Sequence, residues 1–231
     1  YTVTGTKKFG TASGEFKGSG DYLSLADSDD WNFGSGDFTI DFWVRFAVVP
    51  SGIFQAVFGQ FQSAAGGTFW VGRDSPNNAW YFEVQKTDVG VSIVFEGAST
   101  VVANTWYHIA VVRSGSKFTL YQNGVAIATT TSTSEIPDIA KPFTLGRIDQ
   151  AVAYYYINGY LDEFRISKGI ARWTSNFTPP SASYETDTTA PTVSSTSPAS
   201  SSTGVGVSGA ISATFSEDMN SSTITTSTFT L

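Results

Sequence analysis

None of the 231 residues is cysteine, which excludes disulfides, thiolate metal sites and thiol nucleophiles together. There is one histidine, His108, at a strand entry; a nucleophilic triad would need it beside a serine and an acid, and the bland reading is structural. Charged residues make up 14%, well under the usual quarter, and the formal charge is −7, which argues against nucleic acid held by a basic face. No apolar run reaches the roughly 20 residues that a membrane helix needs. No segment shows helical periodicity beyond a single turn expected at 168–173. No signal peptide is visible, and a chain opening on Tyr1 reads as an excised piece of something longer.

What is abundant is strand and turn chemistry. Hydrophobic residues make up 41%, aromatics 15%, and there are 22 glycines. The stretch 105–129 reads as three short strands, the last two joined by Asn123-Gly124, a pair suited to the positive φ angles of a type I′ hairpin. In FTIDFWVRF, Phe38, Ile40, Phe42, Val44 and Phe46 share one face and are assigned to the core; Thr39, Asp41, Trp43 and Arg45 share the other. Further strands are expected at 22–25, 53–61, 68–73, 79–84, 92–95, 142–146 and 159–167, with a turn at 74–78. In the second of these, Phe54, Ala56 and Phe58 are expected on one face. About a dozen short strands with frequent turns predict an all-β sandwich.

Beyond Pro179-Pro180 the composition shifts towards serine and threonine. The organisation expected is one β domain over 1–184, a linker over 185–191 and the start of a second β domain over 192–231. That last segment is too short to bury a core alone, so either the chain is truncated or a neighbouring chain completes the sheet by strand addition.

FKGSGDYLSL, SGDFTIDFWVRF, WYHIAVVRSGSKFTLYQNGVAIA and NGYLDEFRISKGIARWTSNFTPP, in that order, resemble the laminin-G-like branch of the concanavalin A-like lectin/glucanase superfamily. The resemblance implies a two-sheet antiparallel jelly roll. The tail, TAPTVSSTSPASSSTGVGVSGAISATFSEDMN, resembles the opening half of a bacterial Ig-like repeat, which implies a spacer in a secreted or surface protein. The ending of the first domain also resembles domains of bacteriophage structural proteins and of environmental bacterial surface proteins. Glucanase relatives carry E-x-D-x-x-E on one strand; that triplet is missing here, and adjacent Asp162 and Glu163 point to opposite faces of a strand, so no enzyme is expected.

The resemblance also implies a structural Ca²⁺, whose side-chain ligand would be Asp162, with Asp21 in the GSGDY turn as a second candidate; the bland alternative is that Asp162 bonds backbone N–H groups. Asp27, Asp29 and Asp30 lack the spacing of a calcium loop and read as a solvated acidic turn. For sugar, which stacks on aromatic faces and is read by planar polar groups, the candidates are Trp70, Arg73, Asp74, Trp80, Tyr81, Tyr154, Tyr155 and Tyr156. Trp31, Trp43 and Trp106 sit in the family motifs and are assigned to packing. The expected function is a non-catalytic extracellular recognition module that binds glycan or a cell-surface partner. The alternative is a virion or filament protein that self-assembles through its C-terminal Ig-like segment.

Overall fold

The computed structural model describes residues 2–63, 65–74, 77–148, 155–184, 191–206 and 208–216. The chain divides into two units, Tyr1–Tyr184 and Glu185–Leu231. The first unit is two stacked antiparallel sheets, as the resemblance implies. One sheet has seven strands, in spatial order β1 (Thr2–Val3), β2 (Ser13–Lys17), β13 (Asn158–Lys168), β4 (Phe38–Phe46), β9 (Trp106–Ser114), β10 (Lys117–Gln122) and β11 (Val125–Thr131). The other has six: β3 (Leu23–Leu25), β12 (Phe143–Leu145), β5 (Gln55–Ser63), β6 (Gly67–Arg73), β7 (Ala79–Lys86) and β8 (Val91–Thr100). In the second unit β14 (Val193–Ser197) pairs antiparallel with β15 (Ser212–Phe215).

The period-2 pattern of β4 sets the core. Phe38, Ile40, Phe42, Val44 and Phe46 are all fully buried between the sheets, where they meet Phe58, Phe69, Phe82 and Phe118. Asn123 and Gly124 have φ of 50° and 78°, the positive values expected for the hairpin. Two expectations fail. Residues 168–173 form no helical turn; β13 ends at Lys168, and 170–173 have no regular secondary structure. β5 carries a bulge between Ala56 and Phe58, so the alternation breaks: Val57 and Phe58 both enter the core, while Phe54 and Ala56 go to the outward face. The strand expected at 92–95 extends to ten residues, and β1 and β2 were not expected.

Much of the outward face of the seven-stranded sheet is also buried, because residues 170–184 cross it as a strap. Thr39 Oγ1 donates to Ile170 O and accepts from Arg172 N, both at 2.9 Å. Trp173 and Phe177 stack on each other with centroids 3.9 Å apart and cover Ala110, Val112 and Tyr121. Phe177 N donates to Gly124 O at 2.9 Å. A Cβ on Gly124 would lie 1.8 Å from Phe177 O, so the hairpin glycine is required twice, by its φ and by the strap.

Under the strap lies a buried carboxylate. Asp41 accepts from Arg165 Nε (3.0 Å) and Nη2 (2.8 Å), from the Tyr184 hydroxyl, and lies 3.3 Å from His108 Nε2. Burial pushes the Asp41 carboxyl up, but the hydrogen bonds from His108, Arg165 and Tyr184 and the Arg165 charge outweigh it, holding the group below the usual carboxylate range. Tyr184, the last residue of the unit, also donates its backbone N–H to Glu163, and Arg165 lies 3.9 Å from its ring centre. His108 is wholly buried, with Trp173 and Phe177 edge-on to its ring.

Because the native carboxyl is depressed, its stabilisation is complete above the unfolded value of about 4 and is lost as pH falls through the native one. Asp41→Asn is expected to cost about 3–5 kcal/mol at pH 7, the range for breaking a buried ion pair. The gap between wild type and variant, measured by urea unfolding, should hold from pH 7 to 5 and narrow below 4; a gap that ignores pH would contradict the assignment. Gly124→Ala should cost at least about 1–2 kcal/mol from backbone strain alone, read from the same unfolding curves.

Candidate functional site

Among the described residues no strap crosses the outward face of the six-stranded sheet. Antiparallel register places Thr144, Gly59, Trp70 and Glu83 in one cross-strand row, and Ala56, Gly72, Tyr81 and Glu96 in the next. Two rows meet a close approach at glycine. A Cβ on Gly59 would press Trp70 Cβ at 2.7 Å and Ile148 Cδ1 at 2.9 Å; one on Gly72 would meet Gln55 O at 2.2 Å. The gap at Gly59 lets Ile148 settle on the sheet, and the one at Gly72 lets the β5 backbone approach. Ile148 and Tyr155 exchange backbone hydrogen bonds of 3.4 and 3.2 Å, and Tyr155 O accepts from Ala56 N at 3.3 Å.

Tyr155 joins an aromatic cluster. Its ring centre is 5.1 Å from Phe54 and 6.1 Å from Trp70; Trp70 is 4.9 Å from Tyr81 and 5.9 Å from Phe54. Phe54, Tyr81 and Tyr155 are half-buried and present part of each ring outward, while Trp70 is buried beneath them. Polar groups border the rings. The Tyr81 hydroxyl donates to Glu83 Oε2 at 2.8 Å, and Asn77 Nδ2 donates to Glu96 Oε2 at 2.8 Å. Burial, then the bond to Glu83 and the nearby carboxylates of Glu83, Glu96 and Asp74, raise the Tyr81 hydroxyl well above its ordinary value, so it stays a neutral donor.

The sequence-selected residues therefore separate. Tyr155 and Tyr81 lie on the outward platform, with Trp70 as its floor rather than as an open stacking surface. Trp80 belongs to the core, packed on Phe46 and Tyr107, with Nε1 donating to Gln122 Oε1 at 2.6 Å; neither of its faces is open to a ligand. Arg73 is a buried clasp. Its guanidinium donates to Gln55 Oε1, Asn78 Oδ1 and the carbonyls of Pro50, Ile53 and Asp74, tying the β4–β5 loop to the β6–β7 turn. Asp74 is spent inside that turn, accepting from Ala79 N at 2.9 Å and Asn77 Nδ2 at 3.3 Å. Tyr156 lies apart from the cluster, its hydroxyl 3.5 Å from Arg147 Nη1, whose guanidinium carbon is 3.4 Å from the Tyr22 ring centre. Tyr154 lies outside the described residues. Phe54, Asn77, Glu83 and Glu96 were missed; the signal in sequence was glycine on β5 and β6 beside a tryptophan.

The two metal candidates each hold a turn. Asp162 Oδ2 accepts from Lys8 N (2.8 Å) and Phe9 N (3.1 Å), and Asp21 Oδ2 from Lys17 N (3.1 Å). An oxygen facing two N–H donors is poorly placed for a cation, and among the described residues no three Asp, Glu or His side chains converge. The described side chains do not by themselves assemble a calcium cage. No helix among the described residues is long and apolar enough to cross a membrane.

No curated protein matches the chain in sequence. Among solved structures, domain 4 of an extracellular arabinanase from Geobacillus stearothermophilus, in complex with arabinotriose, superposes with TM-score 0.54 at 16% identity, over 73% of this chain and 74% of that one. A candidate carbohydrate-binding protein from Bacteroides ovatus gives 0.54 at 17%, over 70% of this chain and 44% of that one. Domains LG4–5 of the mouse laminin α1 chain give 0.51 at 15%, over 67% and 40%. The matched region thus spans less than half of the last two, and at these identities the likeness is one of fold. Residues 187–231 match the model of a bacterial Ig-like domain. Residues 17–172 match the family model of the concanavalin A-like lectin/glucanases superfamily, and the chain belongs to that family.

Proposed function

We propose that residues 1–184 are a non-catalytic glycan-binding module of a secreted or surface protein, with Phe54, Tyr81 and Tyr155 as its platform. The observation that carries this reading is the mutual packing of these three rings on Trp70 at an uncovered sheet face, bordered by Glu83, Glu96 and Asn77. A pyranose or furanose presents a C–H face to such rings and hydroxyls to carboxylate and amide groups. Rings already fixed by their neighbours lose little freedom on binding. The arabinotriose-bound arabinanase domain, which shares the fold, supports a sugar ligand. The absence of the E-x-D-x-x-E triplet and the sealing of Asp41 and His108 beneath the strap support a binding role without bond cleavage. The bacterial Ig-like match in the second unit supports an extracellular setting.

Glycan-array screening followed by calorimetry tests the reading. Tyr155→Ala and Tyr81→Ala should each weaken binding by up to about tenfold, the worth of one aromatic contact, with circular dichroism unchanged. Trp80→Ala should instead cost about 3–5 kcal/mol of stability. A folded Tyr81→Ala/Tyr155→Ala double variant that binds every array ligand as wild type does would refute the platform.

A further inference from the structure

The opposite sheet carries a second surface that the platform does not use. On the outward face of the seven-stranded sheet, beside the proline segment of the strap, Trp43 of β4 and Trp106 of β9 sit on neighbouring strands, Trp43 paired with His108 and Trp106 with Arg45. They floor a groove of about 500 Å³, within the range of ligand clefts. Lys8 and Phe9 form one wall, Pro179 and Pro180 the other, and Asn123 closes the lining. Trp106, assigned to packing from sequence, is half-buried here and contributes ring surface to the groove.

Both walls are fixed. Asp162 accepts from the backbone N–H groups of Lys8 and Phe9, which holds their loop over Trp43, and Phe9 meets Trp43 edge-on at 5.7 Å. The proline wall follows Phe177, whose N–H is bonded to Gly124 O, and precedes Tyr184, whose hydroxyl is bonded to Asp41. The carboxylate that the resemblance offered to calcium thus works here as the fastener of a wall.

We infer that this groove binds a carboxylated pyranose of an acidic glycan, its ring face on Trp106 and its carboxylate at Lys8. The Lys8 ammonium lies 3.9 Å from the Trp43 ring centre and 5.4 Å from that of Phe9, held by two aromatic faces. Among the described residues no ion pair engages Lys8, and no lining residue is acidic. A fixed positive group in a chain of net charge −7 selects for an anion. Indole and proline surfaces beside it suit the apolar face of a sugar ring. Added-strand peptide binding does not fit, because β4 and β9 are interior strands with both edges paired.

The test is calorimetry on the whole chain with trigalacturonate and triguluronate, each against its methyl ester, at low and moderate salt. At least one acid should bind saturably, its ester about tenfold more weakly, and added salt should weaken only the acid. Lys8→Met keeps an aliphatic stem over Trp43 and should bring the acid down to the affinity of the ester while leaving the ester unchanged. Trp106→Ala should weaken both by up to about tenfold, and the melting temperature of each variant reports on folding. Tyr155→Ala should change none of these affinities, which separates this groove from the platform. Equal binding of acid and ester, a Lys8→Met variant that behaves as wild type, no saturable binding to either acid, or displacement of the bound acid by a proline-rich peptide would each overturn the inference.

Discussion

A carboxylate with no exposure cannot stand alone, and Asp41 sets much of what surrounds it. Its partners come from three directions: His108 on β9, Arg165 on β13 and Tyr184 at the end of the strap. Removing an ion from water is costly unless partners replace the solvent, so this site is satisfied only when the strap is down. The strap in turn lets Thr39, Ala110, Val112 and Tyr121 be buried on a face that would otherwise be wet. One buried charge thereby couples a sheet, a 15-residue segment and the end of the first unit. Its net-depressed carboxyl shows that the assembled partners more than offset the burial.

The strap makes the two outward faces unequal. On the seven-stranded sheet most of the face is covered, and what remains open is a groove with fixed walls. On the six-stranded sheet, among the described residues, Ile148 and Tyr155 pack on the outward face, Ile148 where Gly59 leaves room. Exposure of Phe54, Tyr81 and Tyr155 is therefore partial and rigid: each ring has a neighbour on one side and solvent on the other. Glycine acts on this face as the absence of a side chain at close approach rather than as a source of flexibility.

How much of this was legible in the sequence depends on the range of the interaction. Alternation in β4 and the Asn123-Gly124 turn are local, and both appear as read. The bulge in β5 is decided by its pairing with β6, which strand alternation cannot reveal, so Phe54 was placed on the core face. Trp70 and Trp80 look alike in sequence, each in an aromatic strand beside a turn. Trp80 faces the core, paired opposite Arg73; Trp70 faces outward and is buried by Phe54 and Tyr81 and by Ile148 and Tyr155 about 80 residues later. Arg73 and Asp74 resemble ligand readers in composition, yet every polar bond recorded for them lies within the protein. Composition identified the groups, but tertiary contacts decided which had polar capacity left for a partner.

The same residue chemistry divides the two surfaces by charge. The platform is bordered by Glu83 and Glu96, with Tyr81 kept as a neutral donor beside them, an arrangement that accepts from sugar hydroxyls and repels anions. The groove has one ammonium, fixed over Trp43, and no acid in its lining. A carboxylated ring is penalised at the first surface and favoured at the second, while a neutral ring loses nothing at the first. Two aromatic surfaces on opposite sheets of one sandwich need not duplicate each other, and here charge of opposite sign suits them to different ligands.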